Sequence, residues 1–147
     1  MKIISSQIRE TIISAKNELL KITDEQAGVK PAPSKWSDKE VFGHLIDSAS
    51  NNLQRFVRAV QNAAGDFPVY NQDKWVEIQK YNEMEWNELI ELFIQMNLHI
   101  CRVIDNLPHD VMLNPVNIGK EKPATLEFVI TDYLRHLKHH LENLLKL

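Results

Sequence analysis

The chain has 147 residues, 44% hydrophobic and 25% charged, which fits a single domain spanning residues 1–147 with a core of its own. A net charge of −3 and a pI near 6.1 lack the basic footprint of a nucleic-acid binder. No apolar run reaches the roughly 18–20 residues of a membrane span, so neither nucleic acid nor membrane is an expected partner. Cys101 is the one cysteine, which excludes an internal disulfide. The opening MKIISSQIRE becomes charged too soon for a secretory signal, and both features point to a reducing cytoplasm.

Apolar residues recur at steps of three and four in four stretches. The first covers about 4–22, with Ile8, Ile12, Ala15, Leu19 and Leu20 on one side. The second runs from about 38 to 64, with an apolar stripe of Val41, Phe42, Leu45, Ala49, Phe56 and Val60. It starts at a capping box, Ser37 with Glu40, and Gly65 is its expected stop. The third spans about 84–107, through Leu89, Phe93, Met96, Ile100, Ile104 and Leu107, and ends before Pro108. The fourth begins near 126 behind Thr125 as N-cap and carries Leu126, Ile130, Tyr133, Leu137, Leu141 and Leu144.

No stretch alternates as a strand does, so the expected fold class is all-α, a four-helix bundle with long crossover connections. The connections at about 23–36, 65–83 and 108–124 far exceed the roughly 2–8 residues usual in bundles. The middle one holds Phe67, Pro68, Tyr70, Trp75, Ile78 and Tyr81, and a short helix over 72–80 is expected to pack over one end of the bundle. The last one has the composition of a small hairpin or an irregular lid.

Three histidines stand out. His136 and His140 share one flank of the fourth helix, about 100° and 60° from Leu137, whereas His139 falls about 160° away and faces water. His44 lies about 100° from Leu45, beside a polar line of Ser48, Asn52 and Arg55 that would border any site there. By helical rise His44 is about 10 Å from the start of its helix, and the pair about 10–16 Å from the end of theirs. The three therefore share a level only if the second and fourth helices are antiparallel. Simple up-down-up-down threading makes those helices parallel, so a triad requires a long crossover of the kind this chain has room for. Spacing alone also allows a flank of solvated imidazoles with no metal. His99 and His109 read as surface residues, Cys101 as a small core residue, and Trp36, Trp75 and Trp86 as packing near helix ends.

KWSDKEVFGHLIDS (35–48) and RHLKHHLENL (135–144) together resemble the DinB-like (DinB/YfiT) superfamily. Its pattern is a W-S/T-x-x-E-V-x-x-H-L start to the second helix and an H-x-x-H-H or H-x-x-x-H close to the fourth. Trp36, Ser37, Glu40, Val41, His44 and Leu45 match the first part, and His136 and His140 the second. The resemblance implies a bundle with a long crossover, frequent dimers, and a divalent metal, often zinc or nickel, on three histidines. It further implies a small-molecule substrate and either transfer chemistry through a low-molecular-weight thiol or metal-dependent hydrolysis.

Three imidazoles with an open position suit catalytic zinc. A hydrolase usually adds a general base, yet Leu137 and Lys138 lie between the paired histidines, and Asp47 falls about 160° from its helix's core centre. A thiol needs no such base, so thiol transfer is expected over hydrolysis. The residue that performs proton transfer is not identified at this level. The alternative is a non-catalytic stress-response or binding module with a structural metal or none.

Overall fold

The computed structural model describes residues 1–61 and 67–145. In chain order these form α1 (Lys2–Leu19), α2 (Asp24–Gly28), α3 (Asp38–Val60), α4 (Gln72–Gln79), α5 (Trp86–Asn106), a two-stranded hairpin of β1 (Pro115–Val116) and β2 (Ala124–Thr125), and α6 (Leu126–Leu145). Single 3₁₀ turns lie at Tyr81–Glu83 and His109–Val111. The four long helices are the four periodic stretches, and their buried faces form one apolar cluster. Ile8, Ile12, Phe42, Phe56, Phe93 and Ile100 are fully covered there, each worth about 1.5–3 kcal/mol of burial.

α1 and α3 each pack against both α5 and α6. Contacts along the helices fix their directions. Arg9 near the start of α1 pairs with Asp105 at the end of α5, and the Trp86 indole N–H donates to Leu19 O at the opposite end, so α1 and α5 are antiparallel. Phe42 stacks near Trp86 and Phe93, whereas Val60 and Val103 share a groove at the other end, so α3 and α5 run parallel. His44 meets His136 at one end of the α3–α6 pair, and the Asn114 side-chain amide donates to Ala59 O at the other, which makes α3 and α6 antiparallel. The threading is up-down-down-up. The connection between α3 and α5 is the crossover that a three-histidine site demands.

The start of α3 is fixed by several bonds. Ser37 and Glu40 form the expected reciprocal cap. The buried Lys39 ammonium donates to Met84 O and to Asp24, both at 2.7 Å, and Asp24 also accepts from Trp86 N–H. One lysine thus ties α2, α3 and the start of α5 together, and His44 follows as the seventh residue of α3.

Several boundaries differ from expectation. α1 ends at Leu19, and Leu20 is turned out and 49% exposed. α3 ends at Val60, itself 41% exposed, whereas the expected stop at Gly65 lies outside the described residues. α2 is a single turn behind a Thr23–Gln26 capping box. α4 lies along the flank of α3 and not over the bundle end, with Val76 buried and Ile78 exposed. This placement buries α3 on every side from Phe42 to Ala49. Gly43 permits it, because a Cβ there would stand 2.0 Å from Cδ2 of Tyr81.

Candidate metal centre

α3 and α6 bring His44, His136 and His140 together, with one ring nitrogen of each within 4.8 Å of the others. Ring centroids are 5.3 Å apart for His44–His136, 5.2 Å for His44–His140 and 4.5 Å for His136–His140. The Nε2 atoms of His44 and His136 are 3.4 Å apart. Two nitrogens bound at about 2.05 Å to a tetrahedral cation stand about 3.3 Å apart, so this pair already has a chelating separation. His44 is 4% exposed, and the other two rings are half-buried.

Burial sets the protonation state. Desolvation, followed by the charge His140 would carry, pushes His44 down to about 4. His136 is likewise pushed down to about 4 by desolvation and then by its neighbouring histidines. His140 is lowered by desolvation and His139. Neutral imidazoles are what a metal needs, since a protonated nitrogen has no free lone pair. The donor type, the separation and the neutral state all fit a divalent ion of the zinc or nickel kind.

From the cluster a cavity of about 330 Å³ runs along the α3–α6 groove. Ser48, Asn52 and Arg55 all line it, each a turn further along α3. They form a ladder in which the Asn52 amide donates to Ser48 O and Oγ, and the Arg55 guanidinium donates to Asn52 Oδ1. The opposite wall includes Asp132, Tyr133 and Arg135 of α6. Two long connections contribute Tyr70, Ile118 and Lys120. They meet where the Asn117 amide donates to Phe67 O, and Gly119, at φ +78°, turns the chain back.

Trp36 has a larger part than packing, since its ring lies 5.4 Å from that of His44 and walls the cluster. Its position immediately before the Ser37 cap is the signal that could have found it. Asp73, on α4, acts on His44 through its negative charge, opposing the desolvation. Its contribution depends on the fold of the crossover, which periodicity does not reveal. Asp47 does not face water as its wheel position suggests. It is 1% exposed beneath α4, where Oδ1 accepts from the Tyr81 hydroxyl and the Gln79 amide, and Oδ2 has no partner among the described residues. His99, His109 and His139 are exposed, and Cys101 is buried with its thiol on Ser5 O.

A bundle with two parallel middle helices, and three histidines brought together between antiparallel neighbours, defines a helical protein with a cluster able to coordinate a divalent metal. The chain belongs to the DinB superfamily, whose sequence profile matches residues 10–144. It is 23% identical over 132 residues to the "putative metal-dependent hydrolase" of Oceanobacillus iheyensis, covering 90% of this chain and 76% of that one. Its fold is similar to that of YfiT from Bacillus subtilis, described as a probable metal-dependent hydrolase with an unusual four-helix bundle topology. That match has a TM-score of 0.86 at 18% identity over 97% of this chain and 82% of the other. The mycothiol-dependent maleylpyruvate isomerase gives a TM-score of 0.79 at 10% identity, and the match covers 96% of this chain but 59% of the isomerase.

Proposed function

We propose that this protein is a single-domain, metal-dependent enzyme acting on a small molecule, with His44, His136 and His140 holding zinc or nickel. The observation that carries the reading is the meeting of three burial-neutralised imidazoles at one end of a polar cavity. A divalent ion there supplies Lewis acidity, lowering the pKa of whatever water or thiol it takes up. The chain's own residues supply the rest. Burial keeps the imidazoles unprotonated, Trp36 shields the cluster on one side, and Ser48 and Asn52 present hydrogen-bonding edges along the groove.

Thiol transfer is favoured over hydrolysis. The acid in the cavity wall, Asp132, is held by Arg135 at 2.7 Å, and Asp47 is turned away under Tyr81. Asp47 is out of reach of the cavity and Asp132 accepts both Arg135 bonds on Oδ1, whereas a hydrolase needs a placed general base and a thiolate nucleophile does not. Hydrolysis is the second reading, supported by the descriptions of two relatives. The buried free thiol of Cys101 suits a cytoplasmic protein.

Purified protein should carry about one equivalent of metal, lost in His44→Ala and His140→Ala. Metal at wild-type stoichiometry in both variants would refute the assignment. Metal-dependent conjugation of a low-molecular-weight thiol to an electrophile, abolished by chelation, supports transfer. Chelation-sensitive ester or amide cleavage without thiol supports hydrolysis. Bound metal with neither activity supports a binding module.

A further inference from the structure

The cavity has a cationic end remote from the histidines, and among the described residues no carboxylate pairs with the arginine there. Arg135 and Asp132 form an exposed ion pair at 2.7 Å, whose opposite charges add nothing net to the wall. Arg55 and Lys120 remain, facing a common cavity in a chain whose net charge is −3. Arg55 has no acidic partner among the described residues, and its guanidinium bond is to the neutral Asn52 Oδ1 at 3.3 Å. Its Nε is buried with no partner among the described residues. Burial pulls the guanidinium below its ordinary pKa, with only Tyr70 acting the other way. Arg55 is half-buried, and a partly desolvated cation with a buried open donor is costly unless an anion completes it.

We infer that Arg55 anchors an anionic group, a carboxylate or a phosphate, at the far end of an elongated substrate whose reacting end lies at the three histidines. The spacing follows from the helix. Arg55 is eleven residues beyond His44, a rotation of about 20° beyond whole turns, so both share one face at levels about 16 Å apart. The bond back to Asn52, three residues earlier, returns the guanidinium by about 4.5 Å, leaving about 12 Å between anchor and cluster. The substrate class is therefore a small organic anion with its charge about that far from the reacting atom. This deepens the proposed function and rests on it for the metal end alone.

The test compares adipate, suberate and sebacate, which bracket that length, with their dimethyl esters, which carry no anion, by calorimetry on zinc-loaded and metal-free protein. Each diacid should bind about ten- to a hundredfold more tightly than its ester, the range expected for a charge-assisted contact, with suberate best on the zinc-loaded form. On metal-free protein Arg55→Gln should erase the preference without lowering the melting temperature, with zinc uptake unchanged, and Arg55→Lys should retain part of it. Equal binding of acid and ester in the wild type overturns the inference. So does a preference that survives Arg55→Gln and disappears in Lys120→Gln. If zinc is not taken up, the metal reading fails, and the acid–ester ratio on metal-free protein still decides the role of Arg55.

Discussion

Gly43→Ala tests the packing that covers α3. In an isolated helix this substitution stabilises by about 0.5–1 kcal/mol, because alanine loses less backbone freedom. Here the new Cβ would lie 2.0, 2.2 and 2.5 Å from Cδ2, Cγ and Cε2 of Tyr81, whose side chain is 3% exposed and has no open space to enter. Relieving that overlap moves the ring by more than an ångström and breaks the 2.7 Å bond from its hydroxyl to Asp47. Overpacking costs about 1–3 kcal/mol and loss of a hydrogen bond to a charged group about 1.5–3. After subtracting the helix preference, a net loss of about 2–5 kcal/mol is expected, or roughly 5–15 °C in Tm for a chain of this length. Urea unfolding followed by circular dichroism reads the first quantity, and a thermal melt the second. In a Tyr81→Ala background the same substitution should become neutral or stabilising, since nothing then occupies the space. A Gly43→Ala protein as stable as wild type would refute the close approach of Tyr81 to α3.

Zinc at a hundredfold excess over its Kd should add about 2.7 kcal/mol of stability, and His44→Ala should abolish that gain in a thermal-shift titration. The metal-free protein should lose stability as pH falls from about 6.5, where unfolded histidine begins to protonate, toward the folded values near 4 of His44 and His136. A His44→Gln/His136→Gln double variant should flatten that slope in urea titrations between those pH values. Asp47 behaves with the opposite sign, because burial raises its pKa, so its contribution is present at low pH and lost as pH rises through the folded value. Asp47→Asn should therefore be more stable than wild type at pH 7, with the advantage gone below pH ~4. Tyr133→Phe removes the 2.6 Å bond to the buried Asn97 Oδ1 and should cost about 1–3 kcal/mol in urea unfolding.

The long helices were legible because each has one apolar face and a chemical start or stop. Phe42, Leu45, Ala49 and Phe56 recur at helical spacing, and the Ser37–Glu40 box forms as read. For the three histidines, helical pitch assigned a face and a level but left chain direction open, and the resemblance of 35–48 and 135–144 to the DinB-like superfamily was what joined them. What stayed hidden depends on the crossover. A helical wheel places Asp47 opposite the core because it assumes water on every face that the bundle does not cover. The segment 72–83 occupies that face, and neither Ile78, left exposed, nor Val76, buried, could be assigned to it from an eight-residue helix of weak periodicity.

The same crossover joins fold and chemistry. With α3 and α5 parallel, α3 and α6 are opposed, and only then do residues 44 and 136–140 reach one level. The segment that achieves this also seals α3, and removal from water keeps His44 neutral and ready to bind a cation. It contributes Tyr70 to the wall in which Arg55 Nε has no partner among the described residues. A substitution that loosened α4, such as Gly43→Ala, should then reach the metal end as well as stability. Rehydrated His44 would titrate closer to its ordinary value, and zinc affinity below pH 6.5 would fall more steeply than in wild type. Competitive chelator titrations at pH 6 and 8 separate this from a uniform loss, since a purely structural defect would weaken binding equally at both.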